Sequence, residues 1–397
     1  MPEKPTPRPL LPYLLAAALG CRFGLGVWVL YYLRVTNYAG IGLAEGLMIL
    51  VTLIVELPTG ALADLIGRKR TLNLGFGFLS LSFLVFWQLT GLGTLCLACM
   101  LYSLGKALNS GTYEALLFDT LQVRGKVSAF GQVLAETRAI RLFVTAVSCA
   151  VGGLLYQIGP SLPYLATMLC LLVGFLISLF LEEPAVNRPA FSANAFREQT
   201  RRGLTLLRGA LSRDALIGFL FVVGMFTCVT DEVIDDALAV SLGLEPSRLG
   251  LLVAMLYLGA AIAARFAPLL EAACSSRRLA LVLVLASAVT LILAPLAGVI
   301  MGASLILVRT LMLSVLTHLE TRTLNDLVDS ANRATLLSSY TMLKSLPYVL
   351  GAYLIGGLID THGPPLFARG MGLVLLSVAL LLVLLRARTF FRNGGLR

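Results

Sequence analysis

Hydrophobic and polar positions alternate along this chain on the scale of whole helices. Apolar runs lie near residues 10–33, 40–63, 71–92, 94–121, 130–157, 161–181, 215–240, 247–273, 279–296, 298–325, 332–358 and 366–388, each closed by a short break rich in charge, glycine or proline. A bilayer core is crossed by about 20 apolar residues in a helix, so the pattern predicts an all-α membrane protein with twelve transmembrane helices. The run that follows Met1-Pro2-Glu3-Lys4 has no small-residue cleavage site and is too long for a signal peptide, which predicts a retained first helix.

Composition agrees with the pattern: 58% of residues are hydrophobic and 13% charged, where a soluble domain has about 25% charged. The net charge of +10 does not point to nucleic acid, because the basic residues occupy alternate connections instead of one face. Arg68, Lys69 and Arg70 follow the second run, Arg124 and Lys126 the fourth, Arg277 and Arg278 the eighth, and Arg386, Arg388, Arg392 and Arg397 the last. The intervening connections carry little beyond Arg34, Arg248 and Arg369. Basic loops mark the cytoplasmic side, which predicts that both termini are cytoplasmic.

The second run ends in Gly60-Ala61-Leu62-Ala63-Asp64-Leu65-Ile66-Gly67-Arg68-Lys69-Arg70. This string resembles the loop between helices two and three of the major facilitator superfamily (MFS) of secondary transporters. Glu56-Leu57-Pro58-Thr59-Gly60, Ser110 through Asp119, and Arg333 through Ser338 resemble its bacterial efflux-type branch of drug and metabolite-proton antiporters. Where many drug-proton antiporters carry Gly-Pro in helix five, the stretch 145–153 has no proline. The resemblance implies two pseudo-symmetric six-helix bundles in the bacterial inner membrane. It also implies a gate in which Gly60 lets helix two approach helix eleven while Asp64 and Arg68, with Gly67 and Lys69 in the same loop, hold the cytoplasmic side shut.

Internal repetition points the same way. Val151-Gly152-Gly153-Leu154 followed by Gly159-Pro160 recurs as Ile355-Gly356-Gly357-Leu358 followed by Gly363-Pro364, at a constant offset of 204. Paired repeats are how many transporters build a substrate site. The expected division is a bundle over 1–181, a linker over 182–214 and a bundle over 215–397. Residues 195–211 of the linker alternate basic and apolar positions at helical spacing, which fits either an amphipathic helix on the inner membrane surface or a solvated tether.

Candidate chemistry lies in ionisable groups inside the runs, since a charge in hydrocarbon costs several kcal/mol and faces a bundle interior or a wet cavity. Lys106, Asn109, Ser110, Tyr113 and Glu114 fall on one face of the fourth run, and Thr137, Arg138, Arg141, Thr145 and Ser148 on one stripe of the fifth. Glu114 is expected to pair with Arg138 or Arg141, either as a coupling element or as a staple between helices. Arg22, Arg309 and Lys344 add cations in other runs. Asp231 is the candidate proton site of the second half, while Asp235 and Asp236 are expected to be exposed or snorkelling. Cations outnumber Glu114 and Asp231, which favours an anionic or zwitterionic solute.

His318 and His362 are too few for a metal cluster, and the cysteines sit within or beside apolar runs, where buried thiols are expected. No phosphate-binding loop or nucleophile elbow is present, so no cofactor, metal, ATP chemistry or enzymatic activity is expected. The expected protein is a monomeric, proton-coupled exporter of small amphipathic solutes, of multidrug type, working by alternating access. The alternative is a lipid flippase or ligand-binding membrane sensor without proton-driven pumping.

Overall fold

The computed structural model describes residues 10–183 and 193–385, and among these every regular element is helical. The elements are α1 (Leu10–Gly20), a 3-10 turn at Phe23–Gly26, α2 (Trp28–Tyr32), α3 (Tyr38–Ile66), α4 (Arg68–Trp87), α5 (Leu92–Asn109), α6 (Thr112–Val123), α7 (Phe130–Ile158), α8 (Leu162–Leu179), α9 (Ala193–Arg213), α10 (Ala215–Val229), a π-helical turn at Thr230–Ile234, α11 (Asp235–Ser241), α12 (Pro246–Ala273), α13 (Ser276–Leu293), α14 (Val299–Asn325) and α15 (Ser330–Leu385). Among the described residues ten stretches are long and apolar enough to cross a membrane, and Leu10–Gly26 is a shorter apolar helix. One of the ten, 335–384, is two spans joined at Gly363, whose φ of 77° breaks the helical path before Pro364 and Pro365. The protein is therefore an all-helical integral membrane protein with the twelve-helix architecture.

Several apolar runs are not single helices. The first is interrupted at Cys21–Arg22, and the seventh changes pitch through the π-helical turn. The fourth breaks at Ser110–Gly111, where Gly111 takes φ 72°. This corrects the expectation that Lys106 through Glu114 share one continuous helical face: Asn109 is buried, donating to the Gly105 carbonyl at 2.9 Å, while Lys106 and Ser110 are exposed.

Two compact units form, residues 1–31 with 47–191 and residues 32–46 with 192–397. In the first, small residues allow close helix contact: a Cβ on Gly105 would meet the Leu79 side chain and the Gly75 carbonyl, and one on Gly174 would meet Ala18 and Phe76. Tyr31 stacks on Tyr164 with centroids 4.2 Å apart, and its hydroxyl donates to the Phe86 carbonyl at 2.8 Å. In the second unit, the start of α3 is held by Asp360, whose carboxylate accepts from the backbone N–H groups of Tyr38 and Ala39 at 2.9 Å each. A Cβ on Gly42 would collide with the Ala352 carbonyl.

The linker helix α9 packs on the second unit. Leu207 and Ala210 join Ile217, Phe221, Leu324, Leu336 and Tyr340 in one buried cluster, leaving Arg201, Arg202 and Arg208 exposed. The apolar side expected to meet either lipid or solvent is buried against protein. Pro184, Arg188 and Pro189 of the linker, and the terminal Arg386, Arg388, Arg392 and Arg397, lie outside the described residues.

Candidate functional site

In the first unit the loop after α3 is organised by Gly67. Its φ of 96° is a left-handed conformation that suits glycine, and it turns the chain so that α4 begins with free N–H groups. Glu183 accepts from two of these, Arg68 N at 2.9 Å and Lys69 N at 2.6 Å, and a carboxylate at a helix N-terminus is also favoured by the helix dipole. The Arg68 guanidinium reaches the Asp119 carboxylate at 2.6 Å and the Ala115 carbonyl at 2.5 Å. Asp119 is 5% exposed, so this charge pair ties the loop to α6. The backbone of Gly60 and Asp64 is helical within α3, but the Asp64 side chain and the surroundings of Gly60 lie outside the described residues.

The basic residues of the same unit's fourth and fifth runs are exposed. Arg138 and Glu114 pair at 2.7 Å across the connection between α6 and α7. Arg141 and Lys106 are exposed, and neither has a hydrogen bond or ion pair to another side chain among the described residues. On α7 the exposed apolar residues are Leu142, Phe143, Val147, Val151, Leu154 and Ile158. At about 100° per residue, Arg138 and Arg141 stand roughly 140° and 160° around the helix from Phe143. Lys106 stands roughly 180° from the exposed Leu97 on α5 by the same count. Lys106 thus stands opposite the exposed apolar residue of its helix, whereas Arg138 stands roughly 40° from exposed Leu142. Arg22, in the break after α1, donates to the Tyr102 hydroxyl at 3.0 Å.

The second unit handles its charges differently. Arg309 of α14 is completely buried and donates through both Nε and Nη2 to the Asp235 carboxylate, the Nε contact being 3.3 Å. Its Nη1 has no hydrogen-bond partner among the described residues. Asp235 is buried, which corrects the expectation of exposure; a buried guanidinium supplies the partner that makes burial of a carboxylate tolerable. Lys344 of α15 donates to buried Glu320 at 2.9 Å, and the Tyr340 hydroxyl donates to the same carboxylate. A Cβ on Gly224 would run into the Lys344 side chain, so that glycine on α10 makes room for it.

Asp231 contrasts with all of these. It lies in the π-helical turn, is exposed, and has no hydrogen bond or ion pair among the described residues. Its charged neighbours are Asp235, Glu232, Arg309 and Lys344. π-Helical turns are frequent at functional sites.

Glu45, Asp119, Glu183, Glu320 and Tyr340 escaped the sequence reading. Glu45 and Glu320 are buried, and Tyr348, whose buried hydroxyl has no hydrogen-bond partner among the described residues, lies near Glu45 and Glu232. The usable signal was spacing: Glu320 near the end of α14 and Lys344 on α15 are 24 residues apart across a tight connection, the same separation as Glu114 and Arg138.

Comparison with known proteins places these features. The profile of the Major Facilitator Superfamily matches residues 6–231. An uncharacterized MFS-type transporter of Bacillus subtilis, YxaM, is 26% identical over 179 residues, a stretch that is 44% of this chain and 44% of that protein. Among solved structures, a mutant of the nucleoside transporter NupG superposes with a TM-score of 0.78 at 12% identity, covering 96% of this chain and 98% of the other. A POT family transporter in complex with 5-aminolevulinic acid gives 0.68 at 11% identity, covering 96% of each chain. A D-xylose-proton symporter gives 0.67 at 12% identity, covering 94% of this chain and 96% of the other. At these identities the superpositions establish the fold alone. With the profile matching more than half of its length and the fold shared almost end to end, this chain belongs to the Major Facilitator Superfamily, a family of transporters and not of enzymes.

Proposed function

We propose that the protein is a proton-coupled secondary transporter that moves a small amphipathic organic solute by alternating access, with Asp231 as the group that takes the proton. Asp231 itself carries the reading. An unpaired carboxylate within a span costs several kcal/mol unless water reaches it, and an exposed carboxylate without a fixed cation is free to bind and release a proton. Asp235, four residues on, is held by Arg309 and is unsuited to that exchange. Proton coupling is also named for the D-xylose symporter that shares this fold.

The solute is proposed to be anionic or zwitterionic, and the charge distribution favours the zwitterion. The first unit offers Lys106 and Arg141, which have no side-chain hydrogen bond or ion pair among the described residues and attract an anionic group. In the second unit Glu45, Asp231, Glu232, Asp235 and Glu320 outnumber Arg309 and Lys344, which favours a cationic group. The 5-aminolevulinic acid bound by the POT family relative has both kinds of group. Export is the direction favoured by the strings that resemble efflux-type members, and a monomer in a bacterial inner membrane with cytoplasmic termini completes the reading.

The test is flux in proteoliposomes under an imposed pH gradient, using phenylalanine, 3-phenylpropionate and phenethylamine, which share a ring and differ in charge. Phenylalanine is expected to move uphill with the wild-type protein, and Asp231→Asn to lose that drive while retaining downhill exchange. Flux that ignores the gradient would remove proton coupling and favour the flippase or sensor. A preference for phenethylamine would remove the charge assignment.

A further inference from the structure

Cys21 and Cys170 lie where α1 and α8 cross in the first unit, Cys21 next to Arg22 in the chain. Three contacts set the register of that antiparallel crossing. A Cβ on Gly174 would stand 2.8 Å from Ala18 Cβ, the Phe23 N–H donates to Thr167 Oγ1 at 3.1 Å, and a Cβ on Gly24 would stand 2.8 Å from the Tyr164 ring. As the position rises from 18 to 24 on one strand of the crossing, it falls from 174 to 164 on the other. Cys21 and Cys170 occupy the matching interval and are electrostatic neighbours.

Other features make this pair chemically usable. Gly174 lets α8 approach α1 closely at Ala18, and a disulfide needs Cα atoms about 4.4–6.8 Å apart. Cys21 sits where α1 is interrupted, so its backbone is not fixed by helical hydrogen bonding on both sides. Both thiols are half-buried, not sealed. Cys149, the nearby thiol on α7, is already engaged with the Arg22 carbonyl at 3.9 Å.

We propose that Cys21 and Cys170 are a redox-active dithiol whose oxidation by a lipid-soluble quinone staples the break in α1 to α8. The two sulfurs join, their two protons and two electrons pass to the quinone, and the quinone leaves as quinol. The bond would fix the backbone next to Arg22, whose side chain reaches Tyr102, and so restrain one of the cations of the first unit.

The test treats the full chain in neutral-lipid vesicles with tetramethylbenzoquinone, whose substituted ring resists thiol addition, then denatures it and labels free thiols with maleimide. Two of the seven cysteines are expected to be lost to labelling, recovered by dithiothreitol, and found in one cross-linked peptide pair. Amide exchange over residues 20–27 is expected to slow by about threefold or more on oxidation. Cys21→Ser and Cys170→Ala should each abolish the loss, while Cys96→Ser should leave it intact. Undiminished labelling of the wild-type chain would overturn the proposal. So would a loss of two thiols that survives either Cys21→Ser or Cys170→Ala. Neither outcome depends on proton coupling or on the solute.

Discussion

Arg138 in the first unit and Arg309 in the second both pair with carboxylates inside spans, yet the side chains of one pair are 57% and 43% exposed and those of the other 1% and 11%. The exposed pair keeps about half of its side-chain surface open and can separate at small cost. The buried pair has been stripped of water, so each partner depends on the other. Intramembrane charge therefore has two uses in one molecule: the first unit leaves Lys106, Arg138 and Arg141 exposed, and the second locks Arg309 with Asp235 and Lys344 with Glu320 while Asp231 stays exposed. The glycine repeat shows the opposite behaviour, with a shared packing rule. Gly152 is crowded by the Phe23 carbonyl and Gly356 by the Tyr38 carbonyl, so the recurring sequence is a recurring close contact with backbone.

The largest effect should come from breaking the buried pair. Arg309→Leu leaves Asp235 as an uncompensated charge and is expected to cost about 3–5 kcal/mol, read as a fall in the thermal unfolding midpoint. Arg309→Leu with Asp235→Leu should recover most of it. A single variant no less stable than the wild type would end the contrast between the units.

Next come the equivalent glycines. Gly152→Ala and Gly356→Ala each place a Cβ against a carbonyl oxygen, and each should lose about 1–3 kcal/mol of stability. Similar losses in parallel melts would confirm one packing role for the repeat; a neutral substitution at either position would break it.

Asp231→Asn should reduce gradient-driven flux at least tenfold, about 1.4 kcal/mol in barrier terms, with little change in unfolding temperature. Loss of folded protein with no specific loss of proton drive would make Asp231 structural. The smallest effect belongs to the exposed pair: Glu114→Gln should change stability by less than about 1 kcal/mol and leave the response to the pH gradient in place. Abolished proton drive in that variant would transfer the coupling role from Asp231 to Glu114.

Much of this molecule was written in its hydrophobic pattern. Apolar runs long enough to span hydrocarbon must form helices, because the backbone has no other way to satisfy its polar groups there. The loop string at 60–70 and the glycine pairs then indicated the family and the repeat. Helical depth likewise brought Glu114 and Arg138 together, since both lie on consecutive helices joined by a short turn.

What the pattern could not express was the environment of each charge. Asp231 and Asp235 are a single turn apart and alike in sequence terms, yet only Asp235 meets a guanidinium, because the π-helical turn and the position of α14 decide which carboxylate Arg309 reaches. Glu320, near the end of α14, is buried only because Tyr340 and Lys344 enclose it. The breaks at Cys21–Arg22 and Ser110–Gly111 were equally hidden, since an apolar run looks the same whether its helix is continuous or interrupted. Sequence alone determined that these segments enter the membrane, through a solvation cost summed over some twenty residues. Tertiary structure alone decided which charges are paired, buried or left open, because pairing depends on contacts of a few ångströms between side chains from helices far apart in the chain.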